Sequence, residues 1–206
     1  MAKITRKEVY SPYDISRICG EPIANIYHWI YRKEIPNFEI PGGHLRVRHE
    51  ALEIFFKARQ IPVSFDHDKP FEKFRVLIVD DDQDMIEIVA KLLEEDPRLE
   101  VRMETSGFSA GLHVSSWHPD LILLDFLMPG MSGFEVCRLL RENPESRDIP
   151  VVATTSLETP ENRQAVMEAG VSYFLGKPFQ SEELMKKVRQ MLGVSIPSPL
   201  DVRRAG

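Results

Sequence analysis

The sequence predicts an α/β protein in which a doubly wound, five-stranded parallel sheet follows a small, mainly helical domain. Three observations predict it. From residue 74 onward, short apolar runs rich in β-branched residues alternate with apolar stripes at helical spacing. A polar segment containing Pro62 and Pro70 separates that series from the first 60 residues. Charge divides at the same place: residues 1–70 carry 11 basic and 9 acidic side chains and residues 71–206 carry 15 and 23, so the overall −6 combines +2 with −8. The expected domains are residues 1–60 and 74–194, joined by a linker over 61–73 and followed by a flexible tail over 195–206 that has two prolines and no apolar face.

In the first domain, Ser11-Pro12-Tyr13-Asp14 reads as a helix start, with a serine cap, proline at the first helical position and an acid at the third. Ile15 and Ile18 continue its apolar face to Gly20. A second helix is predicted from about Ile23, with Ile26, Trp29 and Ile30 on one face, ending near Glu34-Ile35-Pro36. Two short helices joined by a glycine turn make a helix-turn-helix candidate. Phe38-Glu39-Ile40 and Leu45-Arg46-Val47-Arg48 alternate on either side of Pro41-Gly42-Gly43-His44, a strong hairpin signal. A last helix, about His49 to Arg59, turns Leu52, Phe55 and Phe56 inward.

In the second domain Phe74 to Val79 reads as a buried strand, and Met85, Ile86, Val89, Leu92 and Leu93 as the helix after it. The pattern recurs. Leu99, Val101 and Met103 alternate; Leu121 to Leu124, Val151 to Ala153 and Tyr173 to Leu175 are further strands. Phe134, Val136, Leu139 and Leu140, then Ala165, Val166 and Ala169, then Leu184, Val188, Met191 and Leu192 mark helices. Five strands alternating with five helices place ligands at the carboxyl ends of the strands.

Polar residues gather at those ends: Asp80, Asp81 and Asp82 after the first strand, Asp125 after the third, Thr154 and Thr155 on the fourth, Lys177-Pro178 after the fifth. Clustered carboxylates repel one another unless a cation sits among them, and a hard ion such as Mg²⁺ suits a site with room for waters and phosphate. Helix capping accounts for the Asp80–Asp82 run taken alone. It does not account for four strand ends together.

At 43% hydrophobic and 28% charged, the composition is that of a soluble globular protein. It lacks an apolar window of about 18 residues and an amino-terminal apolar stretch, which points to a cytoplasmic protein without membrane contact. Cys19 and Cys137 are too few and too far apart for a disulfide scaffold or a zinc cluster and read as reduced structural residues.

VLIVDDDQD, LILLDFLMPGMSGFEV, PVVATTS and YFLGKPF resemble, in order, the four signatures of the response-regulator receiver domain. The separations also match that family, with 44, 30 and 22 residues from Asp81 to Asp125, Thr155 and Lys177. The resemblance covers residues 74 to about 193 and implies a flavodoxin-like fold. It implies that Asp125 accepts a phosphoryl group from a histidine kinase or phosphotransfer protein, and that Asp80, Asp81, Asp125 and the Leu127 backbone carbonyl hold Mg²⁺. Lys177 would contact a phosphoryl oxygen, and Thr155 would close onto the phosphate. Phe174 would be the aromatic that moves inward, and Lys177-Pro178 a cis bond. Leu127 and Leu157 are apolar where polar residues can orient the hydrolysing water, so a long-lived phosphorylated state is expected. Ser172 and Tyr173 stand where some receiver subfamilies place acidic residues, so dimerisation through that charged face is not assumed.

The helix, turn, helix and PGGHLRVR hairpin of residues 8 to about 60 resemble the winged helix-turn-helix of the MerR and excisionase families. The resemblance implies contact with double-stranded DNA through Asn25, Tyr27, His28, Arg32 and Lys33 of the second helix and His44, Arg46 and Arg48 of the wing. A module of charge +2 binds weakly alone, so a homo-oligomer on DNA is expected. The whole then reads as a phosphorylation-controlled transcription regulator rather than an enzyme. The alternative is an adaptor in which the receiver controls a protein partner and the helix-turn-helix does not bind DNA. A phosphatase of the haloacid dehalogenase type would leave Asp125 unexplained and lacks its later acidic pair, and no GxxxxGK[ST] loop supports a nucleotide hydrolase.

Overall fold

The computed structural model describes residues 3–156 and 159–194. Leu157 and the tail over 195–206 lie outside the described residues. The chain begins with β1 (Ile4–Thr5), β2 (Val9–Tyr10), α1 (Pro12–Cys19) and α2 (Ile23–Tyr31). It continues with β3 (Phe38–Ile40), β4 (His44–Arg48), α3 (His49–Ala58) and β5 (Phe65–Asp66). The sheet domain follows as β6 (Phe74–Val79), α4 (Gln83–Glu94), β7 (Leu99–Glu104), α5 (Gly107–Trp117) and β8 (Leu121–Leu124). Then come α6 (Gly133–Glu142), β9 (Val151–Thr155), α7 (Pro160–Glu168), β10 (Tyr173–Gly176) and α8 (Ser181–Leu192).

The five long strands form one parallel sheet in the order β10-β9-β8-β6-β7. Alternate residues of β6 feed opposite faces. Phe74, Val76 and Ile78 pack with α4 and α8, whereas Leu77 and Val79 pack with α5, α6 and α7. Both faces are therefore covered, which is why the strands read as unbroken apolar runs. The chain reverses direction of travel across the sheet between β6 and β8, the switch point at which a doubly wound sheet opens a crevice beyond its strand ends.

The amino-terminal module has its own core of Tyr10, Ile15, Ile26, Ile30, Ile35, Val47, Leu52 and neighbouring aromatics. Ser11 and Asp14 form the reciprocal cap that starts α1, and β3 pairs antiparallel with β4 as the hairpin signal required. Gly42 and Gly43 take φ of +89° and +78° in its turn, where a side chain would be strained.

Three expectations need correction. The second helix stops at Tyr31 rather than near Glu34, because Lys33 adopts φ +60° and breaks the helical path, so Arg32 and Lys33 lie beyond α2. The segment over 61–73 is not free of strand: β5 pairs in parallel with β1, and Phe65 is buried in the module's core. Val9–Tyr10 adds a third strand beside β4, so the module contains a mixture of sheet and helix larger than expected.

The module rests on the amino-terminal ends of β8, β9 and β10, opposite the strand ends that carry the acidic residues. Lys7 Nζ donates to both Asp14 and Asp120, at 2.9 Å each. Tyr27 donates its hydroxyl hydrogen to Asp148. His44 Nε2 and Ser172 Oγ are hydrogen-bonded at 2.8 Å, and Arg46 Nη2 donates to the Asp148 carbonyl at 3.4 Å. Burial would lower the Lys7 pKa, but the two carboxylates outweigh it and hold the ammonium well above its ordinary range.

Candidate functional site

β6, β8, β9 and β10 each deliver one component of a site at their carboxyl ends. Asp80 follows β6 and is 2% exposed. Its Oδ1 accepts from the Asp82 backbone N–H at 3.1 Å, which aims the other oxygen into the crevice. Asp81 is exposed beside it. Asp82 does what the capping reading assigned to the run: its side chain accepts from Met85 N–H and starts α4. Asp125, directly after β8, is buried, and its Oδ1 accepts from Leu127 N–H at 3.1 Å. Gly133 lies close under it, since a Cβ there would come within 2.7 Å of the Asp125 carbonyl oxygen.

Lys177, after β10, joins the carboxylates. Its Nζ donates to Asp80 Oδ2 at 2.5 Å and to Asp125 Oδ2 at 3.2 Å. Burial would lower the Lys177 pKa, but its bonds and charge contacts with the two aspartates raise it, so the ammonium is held charged. Burial raises the Asp80 carboxyl above its ordinary range even with Lys177 against it. A further cation is therefore favourable here. Asp80, Asp81 and Asp125 each present one oxygen, and the three lie within 4.8 Å of one another, an all-oxygen donor set suited to a hard divalent ion.

Thr155 ends β9 and is fully buried, with Thr154 beside it. Phe174 on β10 is only 7% exposed, with the Arg163 guanidinium 5.2 Å from its ring centre. The aromatic is thus already inside in this structure. The Lys177–Pro178 bond is cis. Leu127 is half exposed.

The eight residues expected to touch DNA divide into two groups. Asn25, His28, Arg32, Lys33 and Arg48 are exposed. Asn25 donates to Glu21, and Arg48 covers the Phe38 ring at 4.8 Å. Tyr27, His44 and Arg46 instead face the sheet domain. Arg46 is 6% exposed and His44 7%. Burial, with Arg46 and Arg141 nearby, pulls the His44 pKa from 6.5 to about 3 and leaves the imidazole neutral. Their partners Asp148 and Ser172 lie just before strands and carry no motif, so nothing in the sequence distinguishes them.

A five-stranded parallel sheet with two carboxylate-bearing strand ends, a buried threonine and a lysine on a cis-proline turn defines a signalling receiver. The sequence profile described as the response regulator receiver domain matches residues 76–189, and the chain belongs to that family. PleD, a response regulator of Caulobacter vibrioides, is 41% identical over 118 residues, covering 57% of this chain and 26% of PleD. The phosphate regulon transcriptional regulatory protein PhoB of Rhizobium meliloti is 31% identical over 124 residues, covering 60% of this chain and 55% of PhoB. Matches to these relatives thus span between about a quarter and about half of their length. Among solved structures, the receiver domain of a DNA-binding response regulator protein (merR) from Colwellia psychrerythraea superposes with a TM-score of 0.56 at 29% identity, covering 59% of this chain and 99% of that one. Among the described residues, no helix is long and apolar enough to cross a membrane.

Proposed function

We propose that this chain is a phosphorylation-controlled DNA-binding regulator of a two-component system. The observation that carries the first half is the convergence of Asp80, Asp125 and Lys177 at the switch point of the sheet. An Asp125 carboxylate oxygen attacks the phosphorus of a phosphohistidine on a histidine kinase or phosphotransfer protein. The phosphorus–nitrogen bond breaks, and the leaving imidazole keeps the bond's electrons and takes up a proton. A carboxylate is a weak nucleophile, so positioning and charge neutralisation do most of the work. Lys177 supplies one positive charge. Mg²⁺, held by Asp80, Asp81, Asp125 and the Leu127 carbonyl, would supply the rest of the neutralisation. Thr155 would then donate to the new phosphate, and the buried Phe174 would be retained in place. With the side chains at Leu127 and, by sequence, Leu157 apolar and unable to orient a water, the aspartyl phosphate is long-lived; a half-life of seconds at room temperature would contradict this.

The second half is the reading of the amino-terminal module as a winged helix-turn-helix that binds double-stranded DNA as a homo-oligomer. Asn25, His28, Arg32, Lys33 and Arg48 are exposed and within the module only locally engaged, whereas Tyr27, His44 and Arg46 are engaged by the receiver. Wing contact with DNA and wing contact with the receiver therefore compete, and phosphorylation acts on that competition. The same engagement favours a second reading, in which the module serves only as a protein-contact adaptor. Binding to random and genomic DNA fragments at two salt concentrations separates them: a regulator binds with a salt-dependent affinity, an adaptor does not bind.

A further inference from the structure

A second cluster of ligating side chains lies about the joint between the amino-terminal module and the segment that follows it. His49 opens α3, Glu53 sits one turn later on the same face, and His67 follows β5. One donor atom from each lies within 4.8 Å of the others. His49 Nε2 is 3.7 Å from Glu53 Oε2, and His67 Nε2 is 3.1 Å from Glu53 Oε1. A tetrahedral zinc ion with bonds of about 2.0–2.2 Å separates its ligand atoms by about 3.4 Å, so the three side chains are already near the required spacing.

His49 points to a ligand between them. It is 3% exposed, and its Nε2 is buried without a hydrogen-bond partner. Buried ring nitrogens are ordinarily satisfied. Its Nδ1 is 3.1 Å from the Tyr10 hydroxyl, which itself accepts from Lys7 N–H at 2.9 Å. If Nδ1–H donates to Tyr10, Nε2 turns a bare lone pair toward a carboxylate. If Tyr10 donates instead, the Nε2–H lies beyond hydrogen-bond reach of Glu53. In the first arrangement a cation stabilises both groups, and Tyr10 acts as the outer partner that fixes the ligating tautomer. The buried Phe65 and the more exposed Phe71 flank His49 at ring distances of 4.8 and 5.7 Å, and the half-exposed His67 leaves an entrance from solvent. Two cations adjoin the cluster. Lys57 is 3.6 Å from Glu53 on a largely exposed side chain that can swing away. Arg6 Nη1 is 3.4 Å from His67 Nδ1, its weakest contact there; Arg6 Nη2 keeps its bonds to the His67 and Lys69 carbonyls when Nδ1 is protonated.

We propose that His49, Glu53 and His67 form a site for a divalent transition-metal ion of the zinc class, which clamps the segment after β5 onto α3. Two imidazoles and one carboxylate with an open fourth position suit such an ion and not Mg²⁺. The test uses the tag-free full chain, stripped of metal and kept in millimolar Mg²⁺ to occupy the aspartate site, titrated with Zn²⁺ against a chromophoric chelator. One Zn²⁺ per chain is expected, retained in Asp81→Ala and weakened at least about tenfold in Tyr10→Phe and more in His67→Ala, whose side chain is half exposed and outside the core. Co²⁺ in place of Zn²⁺ should give visible absorption of a four-coordinate site that is lost in His67→Ala. Absence of Zn²⁺ binding under these conditions, or binding of equal strength in the native chain and His67→Ala, overturns the proposal.

Discussion

Acidification loosens the joint between the module and the receiver, and His44 sets the size of the effect. The imidazole is bonded to Ser172, and burial with Arg46 and Arg141 holds its pKa at about 3 against 6.5 when free. A group whose pKa is depressed in the docked, folded chain binds a proton more readily once exposed. Its contribution is therefore whole above pH 6.5 and is lost as the pH falls from 6.5 toward about 3. Near pH 5 the loss is about 2 kcal/mol, or roughly thirtyfold in the equilibrium that exposes the ring. The assay is urea unfolding together with amide exchange of residues 44–48, near pH 7 and near pH 5, on the native chain and on His44→Gln, which keeps an amide donor but cannot titrate. His49 and His118, whose pKa values burial also lowers, titrate in both proteins and cancel in the comparison. The native chain should lose about 2 kcal/mol more than the variant. Equal losses would refute the assignment of a docked, neutral His44.

Other outcomes follow from the same geometry. Tyr27→Phe removes a hydrogen bond to the Asp148 carboxylate and should weaken docking by about 1.5 kcal/mol, read as faster amide exchange on both sides of the contact. Lys177→Ala leaves Asp80 and Asp125 without their shared ammonium and should slow labelling by a small phosphodonor such as acetyl phosphate by about a hundredfold; undiminished labelling would remove Lys177 from the site. Chelation of divalent ions should abolish that labelling, and restored Mg²⁺ should return it. Leu127→Asn, at a half-exposed position, should shorten the lifetime of the aspartyl phosphate without preventing its formation.

The sheet domain was legible because its physics is local. Buried parallel strands must be continuous apolar runs, as at Phe74–Val79 and Leu121–Leu124, and the polar residues that end them stand next to them in sequence. No apolar stripe marks α5 in the sequence, because its inner face of Gly107, Ala110, Val114 and Trp117 begins with a glycine and its outer face carries the exposed Phe108 and Leu112, which blur the contrast between faces. The pairing of Ile4 with Phe65 was not legible, since two-residue strands far apart in sequence carry no period. Arg46 and His44 show the same limit at the candidate site. Their residue types suit DNA, but whether a basic wing faces a duplex or Asp148 and Ser172 depends on docking between domains. Likewise, the unpartnered His49 nitrogen comes into view only when Glu53 and His67 are brought beside it.

On the proposed function, the chemistry of Asp125 governs what the amino-terminal module binds. Genome-wide DNA occupancy of the native protein, compared with that of Asp125→Ala under conditions that activate the cognate kinase, tests it most directly. Discrete occupied sites whose occupancy changes in Asp125→Ala are predicted. The same sites occupied to the same extent in both proteins, or none in either, would contradict it.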